Sequence, residues 1–280
     1  MRGNILAINY ATVFQPKVAE TFHKKSITDA AAGHAYSFAG AQTIVVQTVD
    51  TVPLNNYNRT AASNRFGAVT NLGDTKQEMQ MTQDKSFAFA IDAGDQSDQA
   101  IKKSASRALR REIEQVVRPH VDQYRLGKWA AGAGTVVTDA ALTKNTILGQ
   151  IIKVGGEMSN ALVPEEDRIL YIPIRNYMLL VQADAVLQLE KLGTEAIVNG
   201  AVGKVDRNHV VPVPDGWFPE DFEFLIKHKD CTVDPVKLQN FHIREDAQGF
   251  DGPVVEGRIY FDSFVLDAKK AGVGVYEVSS

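Results

Sequence analysis

The residues of this 280-residue chain that could grip a metal or move a proton are six histidines, one cysteine and a few clustered carboxylates. The histidines are His23, His34, His120, His209, His228 and His242. No two stand four apart, the spacing that sets a metal-binding pair on one helix face. His228 lies three residues before Cys231, but two ligands without a third or fourth do not hold zinc. A single cysteine also excludes an internal disulfide and any multi-cysteine zinc or iron-sulfur site. Glu165, Glu166 and Asp167 follow Pro164 and read as a solvated turn before a strand. Asn58, Arg59 and Thr60 form a chance glycosylation sequon. There is no GxxxxGK[ST] loop and no GxSxG elbow, and Gly200, Gly203, Gly272 and Gly274 do not complete a dinucleotide fingerprint. No catalytic residue, cofactor site or metal site is therefore assigned, and an enzyme is not expected.

The elements are more informative than the isolated groups. Residues 1–39 lack a sustained period and read as an arm. Thr43–Val49, TIVVQTV, is rich in β-branched residues and reads as a strand. In residues 77–92 the side chains Met79, Met81, Phe87, Phe89 and Ile91 fall on alternate positions, the pattern of a strand covered on one face. Read as a single strand, this piece spans about 50 Å, as wide as a compact chain of this length. The hairpin it makes must cross the body or project from it, and Asn55–Lys76 reads as its loop tip. Unpaired edges on a projecting hairpin invite other copies to pair.

A long period-3.6 segment follows Ser97 and Asp98, with Ile101, Ala105, Ala108, Leu109, Ile113, Val116, Val117 and Tyr124 on one side. Its other face is basic: Lys102, Lys103, Arg107, Arg110, Arg111, Arg118, Arg125 and Lys128. Pro119 removes a helical hydrogen bond, so a kink is expected near Val116–Pro119. Beyond the Gly/Ala/Thr stretch near residue 132 the texture changes. A glycine-diluted helix (Thr143–Ala161), a buried strand (Asp167–Pro173), a helix (Ile174–Leu192) and an alternating strand (Phe222–Asp230) come next, with further strands from Val236 to the end.

Thirty basic against 34 acidic residues leave −4, and the 44% hydrophobic and 23% charged content is that of a globular chain. The distribution is uneven: residues 1–39 carry +2, 40–95 carry −2, 96–131 carry +4 and 132–280 carry −8. Copies could thus attract front to back. Apolar runs such as Ile169–Pro173 fall far short of the ~20 residues of a membrane span. The amino terminus lacks the apolar run of a signal peptide, so a soluble, intracellular chain is expected.

The order of these parts resembles the major capsid proteins of tailed bacteriophages, the Hong Kong 97 type. The resemblance covers essentially the whole chain. It is carried by DKSFAFAIDAGDQSDQA (Asp84–Ala100) running into ALRREIEQVVRPHVDQYRLGKWA, by LEKLGTEAIVNGAVGKVDRNHVVPVP (Leu189–Pro214), and by EGRIYFDSFVLDAKKAGVGVYE (Glu256–Glu277). The resemblance implies an α+β fold with an amino-terminal arm (1–39) and an extended hairpin loop (40–95) lying over a neighbouring subunit. A peripheral domain (96–136 and 236–280) would be built on the long spine helix, and an axial domain (137–235) would meet its copies at five-fold and six-fold vertices. Where the pattern after Val205 often shows a turn glycine, this chain has Arg207 and Asn208, and Asn tolerates the left-handed backbone such a turn needs.

The implied function is a structural subunit that self-assembles as pentamers and hexamers into an icosahedral head around double-stranded DNA. The implied partners are a separate scaffolding protein and a portal, with room for a decoration protein and none for a membrane. The implied location is the virion, after assembly in the host cytoplasm. Arg59, Arg65 and Lys76 near the loop tip are candidate lattice contacts, paired with acidic groups of the next subunit among Asp246, Asp251 and Glu256. Arg2, Lys17, Lys24 and Lys25 on the arm are candidates for weak, sequence-independent DNA contact. An encapsulin-type nanocompartment shell stays open as an alternative. So do a small-molecule enzyme using Asp184 or Glu157 as an acid and a tail-tube subunit.

Overall fold

The computed structural model describes residues 26–33, 43–91, 105–183, 203–244, 249 and 252–279. In chain order, strands β1 (Thr43–Val49), β2 (Asp74–Gln80) and β3 (Gln83–Ala90) precede helices α1 (Ala105–Glu112) and α2 (Arg118–Ala131), which π-helical turns over Ile113–Val117 join. Then come β4 (Thr135–Asp139), α3 (Ile147–Asn160), β5 (Arg168–Pro173), α4 (Ile174–Gln182), β6 (Gly203–Val205), β7 (Asn208–Val213) and β8 (Phe222–His228). The last strands are β9 (Thr232–Val233), β10 (Val236–Arg244), β11 (Val254–Phe261), β12 (Phe264–Val265) and β13 (Val273–Val278).

A six-stranded mixed sheet, ordered β4-β13-β8-β5-β7-β6, forms the centre. Both of its faces are covered, which is why β5 is an apolar run without alternation. Leu170, Ile172, Phe224, Ile226 and Tyr276 face α3 and α4, packing on Ile147, Ile151, Val154, Met158 and Leu180. Tyr171, Leu225, Val273 and Val275 face the other way, onto Leu126, Trp129 and Ala130 of α2 and onto Ile27 and Ala31. β8 was expected to alternate, yet Phe224, Leu225, Ile226 and Lys227 are all buried, because the strand lies between two layers. Gly274 is required by the packing: a Cβ there would come within 2.7 Å of Val154 Cγ1 and 2.9 Å of Met158 Sδ. β13, which follows residue 236 and was grouped with the peripheral unit, runs inside this sheet between β4 and β8.

A second antiparallel sheet, β10-β11-β3, packs beneath the spine helix through Ile259 and Phe261 against Val117, Val121 and Tyr124. The piece expected to be one strand over 77–92 is two. β2 pairs with β1, while β3 leaves that hairpin and pairs with β11. The break falls at Met81–Thr82, where the Asp262 carboxylate accepts the Thr82 N–H at 2.7 Å and its hydroxyl at 3.0 Å, holding the chain as it changes sheet. The alternation survives the break, since Met79, Met81 and Ile91 are all buried.

The spine also departs from a uniform helix. Directly before Pro119, the Arg118 N–H donates five residues back to Ile113 O, the wide turn of a π-helix. Five π-helical residues shift the register, so Val117 turns inward while Val116, expected on the apolar side, is 52% exposed. Arg125, expected on the basic outer face, is 3% exposed, for reasons given below. At the β6–β7 turn the left-handed residues are Asp206 (φ 45°) and Arg207 (φ 68°), not Asn208. Asn208 instead enters β7, and its Nδ2 ties the turn by donating to Val205 O (3.2 Å) and Asp206 O (3.0 Å).

Candidate assembly interface

The β1–β2 hairpin is fixed to the body at one end. Ile44, Val46, Met79 and Met81 pack on Val233, Tyr260, Phe264 and Leu266. Gln77 adds two bonds, its Nε2 to Val265 O at 2.8 Å and its Oε1 from Asp267 N at 3.0 Å. Beyond Asp50 the chain runs out through 23 residues without helix or strand before β2 begins. This stretch is braced by its own groups. Asn58 Oδ1 accepts from Thr60 N, Thr60 Oγ1 and Ala61 N. Asn58 N donates to Arg65 O at 3.0 Å, and the Tyr57 and Phe66 rings meet edge-on at 5.0 Å. Gly67 takes φ +88°, where a Cβ would strike the Asn55 side chain.

What the tip presents is apolar. Leu54 is fully exposed, Val69 is 95% exposed and Phe66 81%, with Leu72, Val52 and Tyr57 also open. Large apolar side chains gathered on one protrusion mark an interaction surface. Residues 51–73 contain Arg59 and Arg65 and no acid, so the tip is also cationic.

The candidate contact residues are placed as follows. Arg59 and Arg65 are exposed on the tip, and Arg65 Nε already donates to Ala61 O at 2.8 Å. Lys76 lies on β2, exposed, 3.9 Å from Asp74. Glu256, on β11, is engaged within the chain: its Oε2 lies 2.9 Å from both His242 and Arg244. Asp246, Asp251, Arg2, Lys17, Lys24 and Lys25 lie outside the described residues. Pro119 occupies the first turn of α2, next to the π-helical turns. Glu157 is exposed on α3, and Asp184 lies outside the described residues. β3 is tied to β11 by a two-pronged pair, Arg258 Nε and Nη2 to the Asp84 oxygens at 2.9 and 2.6 Å, which holds the Asp84 carboxyl below its ordinary range.

Reactive residue types converge at one cleft of about 280 Å³, lined by Leu162, Pro164, His228, Asp230, Cys231 and Lys269 among others. Its chemistry is muted. Burial pushes the Cys231 thiol up to about 11, and Sγ bonds to the carbonyls of His228 (2.9 Å) and Gly272 (3.5 Å). Such a thiol is structural rather than nucleophilic. Among the described residues no group of three or more His, Cys, Asp or Glu is placed to hold a metal.

No protein-family model and no curated protein matches the sequence. Solved structures do match. A chain from Mycobacterium phage Che8 superposes with a TM-score of 0.77 at 14% identity, over 96% of this chain and 98% of that one. One from the capsid structure of cyanophage P-SCSP1u gives 0.77 at 15% identity, over 97% and 94%. One from the asymmetric unit of the bacteriophage PhiM1 mature capsid gives 0.74 at 11% identity, over 97% and 92%. The chain has a phage-capsid fold.

The residues least expected from sequence are the buried polar groups that secure Ser26–Gly33 to this capsid fold. Asp122 accepts from Ser26 Oγ (2.8 Å), Ile27 N (3.1 Å) and Thr28 Oγ1 (2.5 Å), and burial raises its carboxyl above the ordinary range. Arg125 donates to Thr28 Oγ1 (3.0 Å) and Asp29 Oδ1 (2.5 Å), which explains its burial. Lys227 donates to the Ala31 and Lys229 carbonyls with its ammonium 4.4 Å from the centre of the Trp129 ring, and burial depresses its pKa. The signal in the sequence is the stripe 121-122-125-126-129-130 on α2, where charged residues share the buried side with Val, Leu, Trp and Ala.

Proposed function

We propose that the chain is a major capsid protein whose copies assemble as pentamers and hexamers into the icosahedral head of a tailed phage around double-stranded DNA. The observation that carries this reading is the whole-chain likeness to phage capsid structures, with almost nothing left over on either side. The braced, exposed, apolar tip supports it. A protrusion that docks on a different patch of an identical copy makes a heterologous contact, which closes into rings when the rotation allows. Rings of five and six tile a closed shell.

In this reading residues 40–95 lie over a neighbouring subunit. Residues 96–136 and 236–280 form the peripheral domain, apart from the sheet that β13 shares with the axial strands, and residues 137–235 surround the vertices. Leu54, Phe66 and Val69 supply the apolar contact, and Arg59, Arg65 and Lys76 steer it toward acidic groups of the next copy. Asp246 and Asp251 remain candidates there, whereas Glu256 first has to release His242 and Arg244. The role is structural, without catalysis or cofactor. A scaffolding protein and a portal are the expected partners in the host cytoplasm, and a decoration protein is compatible with the outer face. The arm, through Arg2, Lys17, Lys24 and Lys25, makes weak contacts with packaged DNA inside the virion. Among the described residues no helix is long and apolar enough to cross a membrane.

Sedimentation velocity of the full-length chain, expressed alone and with its neighbouring genes, tests this function. Discrete particles far heavier than a single ring are expected. A chain that stays monomeric or dimeric in both settings contradicts the proposal.

A further inference from the structure

The assembly reading leaves unused two buried carboxylates, Asp234 and Asp262, at which five segments meet. Asp234 accepts four hydrogen bonds: Gly33 N at 2.8 Å, Thr232 Oγ1 at 2.7 Å, Trp129 Nε1 at 3.0 Å and Ser263 Oγ at 2.5 Å. Asp262 accepts four as well: Thr82 N and Oγ1 at 2.7 and 3.0 Å, Tyr124 OH at 2.7 Å and Ser263 N at 2.8 Å. Ser263 serves both, its hydroxyl on one carboxylate and its amide on the other. Asp234 N also donates to Gly33 O at 2.8 Å, and Asp262 N to Pro235 O at 3.1 Å, which keeps the two stretches side by side.

One end of this chain of bonds lies on the docked 26–33 stretch, the other at the root of the β1–β2 hairpin. Gly33 ends the docked stretch Ser26–Gly33 within the arm (1–39), and Thr82 is where the strand leaves the β1–β2 hairpin for the second sheet. Trp129 and Tyr124 hold both carboxylates to the spine helix. A carboxylate offers about four acceptor positions, so neither has capacity to spare. Asp234 and Asp262 are themselves buried, where bonds that share a network strengthen one another, so a donor lost at one end is felt by the bonds that remain. We infer that Asp234, Ser263 and Asp262 form a relay that couples the position of the docked 26–33 stretch to the direction of the extended loop. Pulling Thr82 turns Asp262 and shifts Ser263, and Asp234 then loosens its grip on the Gly33 amide.

Contiguity alone does not establish coupling, so the test perturbs one end and reads the other. Amide hydrogen exchange is measured on the full-length chain, with the Gly33 rate taken as a ratio to the rates of Phe224–Ile226 in the core. Thr82→Val removes one donor at an exposed site. It is expected to raise the Gly33 ratio by roughly three- to tenfold, whereas Thr82→Ser, which keeps the hydroxyl, leaves it unchanged. In a Ser263→Ala background the effect of Thr82→Val on Gly33 is expected to fall by more than half. A Gly33 ratio that ignores Thr82→Val, or responds equally with and without the Ser263 hydroxyl, overturns the relay. If Ser263→Ala does not fold, the comparison of Thr82→Val with Thr82→Ser decides it alone.

Discussion

At the residue scale, the interior is organised around charges that a type-based reading places outside. Asp122, Arg125, Lys227 and Asp234 are all buried, and each bonds to a segment far away in sequence. Asp234→Ala removes one acceptor from four donors at once. It is expected to cost about 3–5 kcal/mol of stability, measurable by denaturant unfolding of the isolated subunit. Asp122 gives a prediction with a sign. Its pKa is higher folded than unfolded, chiefly through burial, so its contribution is fullest below the unfolded value of 3.8 and is lost as pH rises through the raised one. Asp122→Asn does not titrate. The stability difference, variant minus wild type, should therefore climb between pH 4 and pH 7 in thermal melts, and a flat difference rejects the assignment. These residues were hard to read because their partners are backbone and hydroxyl groups of the 26–33 segment, which no local pattern joins to the spine. The absence of an i, i+4 histidine pair and of a nucleotide loop, by contrast, needed only local spacing.

At the element scale, strands and helices were largely legible where periodicity speaks. The TIVVQTV strand, the 147–160 helix and the 168–173 strand fall within their expected ranges. The misreadings arose from long-range bonds and altered geometry. The Met79–Ile91 alternation passes through a change of sheet because Asp262, 180 residues away, captures Thr82. The spine's register moves because π-helical turns precede Pro119. Glycine within β13 reads as weakness in sequence, yet it admits α3 against the sheet. Gly274→Ala should thus destabilise by about 1–3 kcal/mol in the same unfolding measurement, despite a better strand propensity. For the loop, Leu54→Asp with Val69→Asp is expected to leave unfolding unchanged while abolishing assembly, since both side chains are exposed in the subunit and neither braces the tip. Arg59→Glu with Arg65→Glu is likewise expected to leave a folded subunit that fails to close shells. Normal particles from either pair, seen by negative-stain microscopy, remove that pair from the interface.

At the scale of the whole molecule, the order of parts was the most informative feature of the sequence: arm, long loop, basic spine, mixed block, returning strands. The structure adds that the last strand, Val273–Val278, lies between β4 and β8 in the central sheet, beside strands that precede it by about 40 to 140 residues. It also shows an extension that the body does not cover, with apolar side chains and two arginines but no acid. In the proposed assembly, the −8 carried by residues 132–280 is the charge of a neighbouring copy that would attract this tip. The most direct test is cryo-electron microscopy of the particles formed by the full-length chain. The account predicts closed icosahedral shells of five-fold and six-fold rings, with Leu54, Phe66 and Val69 of each copy buried on its neighbour. Helical tubes, or shells in which the 51–73 tip stands free in solvent, would contradict it.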